Sequence, residues 1–158
     1  MTHSVSWALP DEAATLELGA ALARATESRR AWVALNGPLG AGKSTLVRGV
    51  LQAMGWQGPV PSPTYTLVEP YELSRCVWHL DLYRLGDESE WDELGVDDAE
   101  PDLLLIEWPE RITGLADRFD LQIDLAYAQG GRMVTVRSGS VDGHTFVELL
   151  RGEFKLNT

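Results

Sequence analysis

Residues 37–44, Gly37-Pro38-Leu39-Gly40-Ala41-Gly42-Lys43-Ser44, stand between an apolar run from Ala31 to Leu35 and a segment with helical spacing. That order restricts the chain to folds in which a buried strand feeds a glycine turn opening onto a helix. Glycines at 37, 40 and 42 let the backbone curl so that successive N–H groups converge on phosphate oxygens. Lys43 is placed to bridge the terminal phosphates, and Ser44 offers a hydroxyl to magnesium. The ligand expected from this stretch is a nucleoside triphosphate with Mg2+, ATP or GTP.

A chain of 158 residues with 44% hydrophobic content suits one α/β domain spanning 1–158, with room for a single core. No apolar stretch is long enough for a helical membrane span, and Met1-Thr2-His3-Ser4-Val5 lacks the basic and apolar pattern of a secretory signal, so the expected location is the cytoplasm. Cys76 is the only cysteine, which excludes an internal disulfide or a cysteine-cluster metal site; a buried strand thiol is expected. The net charge of −11 is unevenly spread, because residues 87–102 carry nine acids, among them Asp87, Glu88, Asp97 and Asp102, and no base. Such a surface repels a nucleic-acid backbone, and no lysine-rich stripe offers one a footing, so DNA binding is not expected.

Hydrophobic periodicity and turn residues predict a helix over 11–26, a strand over 31–36, the phosphate loop over 37–43 and a helix over 44–54 that packs Leu46, Val47, Val50, Leu51 and Met54. A glycine- and proline-rich break follows at 55–63. Extended chain is expected at 65–71, a strand at 76–82 and a short helix over 88–94. Leu103 to Ile106 is uniformly apolar, as a central strand buried on both faces must be. Strands at 121–126 and 133–136 flank Gln129-Gly130-Gly131 and read as an antiparallel hairpin, while 145–150 suits either a last strand or a short helix. The fold expected is a three-layer phosphate-loop domain, its mixed sheet having a parallel centre and antiparallel additions.

Magnesium needs oxygen ligands, and a water must be placed for attack. Glu107 closes the strand from Leu103, and Asp81 closes the one from Val77. If both strands run parallel to the strand before the phosphate loop, the two acids reach the phosphate side. Glu107 is expected to serve the metal and Asp81 to hold a metal-bound or attacking water, with the roles open to exchange. Thr64, in Ser62-Pro63-Thr64-Tyr65, is placed to sense the terminal phosphate. His79 shares a strand face with Asp81 and is expected to hydrogen-bond to a neighbour. Arg84 suits either a phosphate or a surface ion pair, and Trp108 either covers the site or docks a partner.

These blocks in order, Leu39-Gly40-Ala41-Gly42-Lys43-Ser44-Thr45 with Arg48-Gly49, Ser62-Pro63-Thr64-Tyr65, His79 with Asp81-Leu82-Tyr83-Arg84, and Ile106-Glu107-Trp108-Pro109, resemble the TsaE family, also called YjeE. Members are small bacterial ATPases that assist threonylcarbamoylation of adenosine in tRNA. The resemblance covers nearly the whole chain. It implies ATP and Mg2+ as cofactors, weak hydrolysis, and work beside TsaB and TsaD, with tRNA met only through that complex and turnover resetting it. It implies nucleotide contacts along Leu39, Gly40, Ala41, Gly42, Lys43, Ser44 and Thr45, and magnesium served by Ser44 and Glu107 with Asp81. Lys43, Thr64, Asp81 and Glu107 form the catalytic set, and Trp108, Tyr83 and Arg84 are site cover or partner contacts. Similar proteins close on the base near the positions of Glu12 and Gly131. Pro38 stands where relatives usually carry an acid, and Ser44 where threonine is usual; serine keeps the metal-binding oxygen. Apart from the resemblance, a small-molecule kinase and a nucleotide-dependent binding module remain alternatives.

Overall fold

The computed structural model describes residues 3–155. Seven strands form one sheet: β1 (Ser4–Leu9), β2 (Ala31–Asn36), β3 (Val68–Glu72), β4 (Cys76–Asp81), β5 (Leu103–Glu107), β6 (Leu121–Ala128) and β7 (Gly131–Ser138), in the order β1-β7-β6-β2-β5-β4-β3. The four central strands, β6-β2-β5-β4, are parallel. The antiparallel pairs β1–β7, β6–β7 and β3–β4 extend the sheet on either side. Among the described residues there are five α-helices: α1 (Glu12–Ala25), α2 (Lys43–Ala53), α3 (Ser89–Leu94), α4 (Val96–Ala99) and α5 (Val141–Glu153). The expected α/β architecture with a mixed sheet is present.

Strand alternation divides the core in two. Ala31, Val33 and Leu35 of β2 and Leu103 and Leu105 of β5 pack with α1, α2 and α5, while Trp32, Ala34, Leu104 and Ile106 point to the other face. There Trp91 of α3, Val96 of α4, and Ile112, Leu115 and Phe119, which flank two 3-10 turns (Pro109–Arg111 and Ala116–Arg118), cover them. Every residue of β5 is buried, as its unbroken apolarity requires. On the first face α1 crosses α2 closely: a Cβ added at Gly19 would lie 2.4 Å from Leu46 O, and one at Gly49 2.4 Å from Leu16 O. Asp11 caps α1 by accepting from Ala14 N at 2.9 Å, so Pro10-Asp11 does mark a helix start.

Several local expectations are corrected. β1 has no counterpart in the sequence reading, although Val5, Trp7 and Leu9 alternate with more exposed residues and face the core; it is a short edge strand paired with β7. Extended chain begins at Val68 and not at 65, because Leu67 N–H bonds Pro63 O at 2.8 Å and folds 64–67 into a turn. The hairpin strands run longer; of the two readings for 145–150 the helical one holds, the segment lying inside α5, capped by Ser140. Cys76 opens β4 half-exposed, with its Sγ 3.3 Å from Glu72 Oε1, and is not a buried thiol. Among the described residues no helix is long and apolar enough to cross a membrane.

Candidate active site

Parallel strands deliver the functional groups to one rim because their carboxyl ends coincide. In register, Leu35 lies beside Glu107 and Glu107 beside Asp81, so the end of β2, the acid of β5 and the acid of β4 stand in a row. From β2 the chain enters the glycine turn, where Gly37, Gly40 and Gly42 all have positive φ, 146°, 80° and 115°. A side chain at Gly42 would strain this left-handed entry into α2. The first intrahelical bond runs from Leu46 N–H to Gly42 O at 2.9 Å, so the amides of Lys43, Ser44 and Thr45 have no acceptor within the helix. They form the positive end of an 11-residue helix.

Lys43 is buried and reaches Glu107, its Nζ 3.5 Å from Oε1; His79 Nε2 lies 2.8 Å from Oε2. Burial pushes the Glu107 carboxyl up, but the hydrogen bond and charge of His79 and the Lys43 ammonium outweigh it and hold the group below its ordinary 4.5. Glu107 is thus kept ionised although only 7% exposed. Asp81 is equally constrained: Thr64 Oγ1 donates to Oδ2 at 3.1 Å and Tyr83 N–H to Oδ1 at 2.9 Å. Ser62 Oγ lies 2.8 Å from Thr64 Oγ1, which carries the hydroxyl chain outward. Trp108, with φ 58°, holds a left-handed conformation that costs a bulky residue energy, and its ring lies 5.5 Å from Lys43 Nζ and 5.0 Å from the Tyr83 ring.

These groups line a cleft of about 590 Å³ that includes Lys43, Ser44, Thr64, Asp81, Tyr83, Glu107 and Trp108. A second hollow of about 220 Å³ shares Gly40, Gly42 and Thr45 with it and is walled by Glu12, Gly131 and Arg132. Glu12, paired with Arg48 across α1 and α2, and Gly131 therefore meet beside the phosphate loop although far apart in sequence. Leu39 is 94% exposed at the crest, and Ala41 is buried beneath it. Arg84 is not among the residues that line the cleft; its guanidinium lies over the Tyr65 ring at 4.3 Å.

Two residues escaped sequence reasoning. Tyr127 donates its hydroxyl to Leu39 O, and Arg132 Nη2 donates to Gly40 O at 3.2 Å. They are cross-strand partners beside the hairpin turn. The Gln129-Gly130-Gly131 turn gives away that pairing, but nothing local says that it leans on a loop some ninety residues earlier, the separation being 88 for Tyr127 and 92 for Arg132.

A buried lysine, open helix amides, a metal-competent hydroxyl and two carboxyl groups in one cleft fit a magnesium nucleotide. The chain is similar over 139 residues to a tRNA threonylcarbamoyladenosine biosynthesis protein TsaE of Haemophilus influenzae, at 39% identity, covering 84% of this chain and 88% of the relative. The TsaE of Mycobacterium bovis is 41% identical over 97 residues, 54% of this chain and 56% of that protein. The crystal structure of YdiB from Bacillus subtilis shares the fold, with a TM-score of 0.75 at 21% identity over 96% of this chain and 97% of that one. Residues 9–134, which carry the turn, both acids and the hairpin tip, match the family of threonylcarbamoyl adenosine biosynthesis protein TsaE, and to that family the chain belongs.

Proposed function

We propose that this protein binds ATP with Mg2+, hydrolyses it slowly, and thereby serves as an accessory component of tRNA N6-threonylcarbamoyladenosine synthesis beside TsaB and TsaD. The observation that carries the nucleotide reading is the meeting of Lys43, the open amides of α2, Glu107 and Asp81 in one cleft. The amides of Gly40 and of Gly42 to Thr45 and the Lys43 ammonium hold the phosphates, and the hollow between Glu12 and Gly131 takes the base. Ser44, Glu107 and Asp81 are the residues that would hold magnesium. Bound there, the ion neutralises charge on the phosphate oxygens. Thr64, tied to Asp81, positions the attacking water or senses the terminal phosphate.

The acids divide by their surroundings. Both Glu107 oxygens already face donors, so that acid sets the position of Lys43 as well as serving the metal. Asp81 sits next to the hydroxyl chain and orients water. Trp108 and Tyr83 cover the mouth, and Tyr65, 78% exposed with Arg84 stacked on it, extends an apolar and cationic rim suited to a protein partner.

Depletion of the protein followed by mass analysis of tRNA nucleosides tests the pathway role: the modified nucleoside must fall, and unchanged levels reject it. Comparing ATP turnover with and without TsaB and TsaD tests the partners. Stimulated phosphate release is expected, whereas stoichiometric phosphorylation of a small molecule identifies a kinase instead.

A further inference from the structure

The tip of the β6–β7 hairpin grips the phosphate loop by its carbonyls. Tyr127 donates to Leu39 O and Arg132 to Gly40 O; the Arg132 guanidinium also lies over the Tyr127 ring at 4.5 Å, so the two donors brace each other. Space is tight: a Cβ at Gly40 would fall 2.7 Å from the Tyr127 hydroxyl. Within the loop, Ala41 N–H is already used, donating to Pro38 O at 3.1 Å. Among the described residues Gly40 N–H has no such acceptor.

A trans peptide is planar, with its C=O and N–H on opposite sides. Fixing Leu39 O toward the hairpin therefore fixes Gly40 N–H away from it. Pro38 has no N–H, so the loop has fewer amides to offer and the direction of each remaining one matters more.

We propose that Tyr127, braced by Arg132, is a positioning residue for phosphate binding: by holding Leu39 O it pre-orients Gly40 N–H as a donor to the nucleotide's phosphates. This rests on the nucleotide reading of the cleft. Without the strap, the Leu39–Gly40 peptide, which has glycine freedom on one side, is free to rotate, and ordering it has to be repeated at each binding event.

The experiment compares wild type with Tyr127→Phe, which keeps the ring and removes only the donor. Calorimetric titration with Mg2+ and a nonhydrolysable ATP analogue is expected to give a Kd about three- to tenfold weaker in the variant, the size of one lost hydrogen bond. In 15N–1H spectra the nucleotide-induced shift of the Gly40 amide is expected to shrink by about half or more, a signature that a purely structural tyrosine would not move. The unliganded melting temperature should change by no more than about 4 °C. Arg132→Gln is expected to weaken binding in the same direction. If the wild type binds and Tyr127→Phe binds equally well with an unaltered Gly40 shift, the strap is refuted while the nucleotide reading stands. If the wild type itself fails to bind, that reading falls first.

Discussion

Lys43 and Glu107 form a buried pair whose strength depends on His79 as third member, so each substitution here separates binding from turnover in its own way. Lys43→Ala removes the one ammonium that lines the cleft among the described residues and should weaken Mg-nucleotide affinity by at least about tenfold in equilibrium titration, while Glu107 keeps its bond to His79. Glu107→Gln keeps the shape but not the charge. It should lower single-turnover hydrolysis by about tenfold or more, with a smaller change in nucleotide affinity; hydrolysis at the wild-type rate would remove Glu107 from the metal assignment. The site was legible at this scale where chemistry is local. Gly40, Gly42, Lys43 and Ser44 announce themselves by spacing, and Glu107 and Asp81 by closing apolar strands. The grips of Tyr127 and Arg132 were not legible, because an exposed tyrosine and arginine flanking a turn look like any hairpin surface until the tertiary fold sets them on Leu39 and Gly40.

Elements meet in ways that reverse ordinary expectations of propensity. Glycine inside α2 at position 49 sacrifices up to about 1 kcal/mol relative to alanine, yet a methyl there meets the Leu16 carbonyl at 2.4 Å. Gly49→Ala should therefore destabilise the protein by about 1–3 kcal/mol in urea unfolding, where helix propensity alone forecasts a gain. On the other face, α4 is tied to the second 3-10 turn by Arg118 and Asp97 at 2.6 Å. The hydrogen bond from Arg118 lowers the Asp97 carboxyl below 3.8 despite a small opposing effect of burial. A depressed carboxylate stabilises the fold above its unfolded value and loses that contribution as pH falls through the folded one. The difference in melting temperature between wild type and Asp97→Asn should accordingly be present at neutral pH, small as befits a half-exposed pair, begin to shrink as pH drops below 3.8, and vanish once pH is below the lower folded value. Strand β5 and helix α2 could be read from sequence because burial on both faces and a 3.6-residue period are strong signals. Edge strand β1 was missed although Val5, Trp7 and Leu9 alternate toward the core, since six residues give a short signal and its pairing with β7 lies more than a hundred residues away in sequence.

For the molecule as a whole, a ligand held by α2, β4, β5 and the hairpin couples elements from most of the chain. Mg-nucleotide at a hundredfold excess over Kd should add about 2.7 kcal/mol to stability, raising the melting temperature by about 5–11 °C. Lys43→Ala should lose most of that rise in a thermal scan. Opposite the cleft, Arg75 holds the other rim together, donating to Thr26 O at 2.7 Å, Arg29 O at 3.2 Å and Asp102 O at 3.4 Å. The first and last described segments belong to that same rim: Arg151 donates to Ser4 O at 2.8 Å, and Glu153 pairs with Arg24 at the end of α1. A surface tether attached on that rim, through the side chain at position 24 or 153, thus hangs the protein with its mouth turned outward, leaving incoming molecules an unobstructed approach.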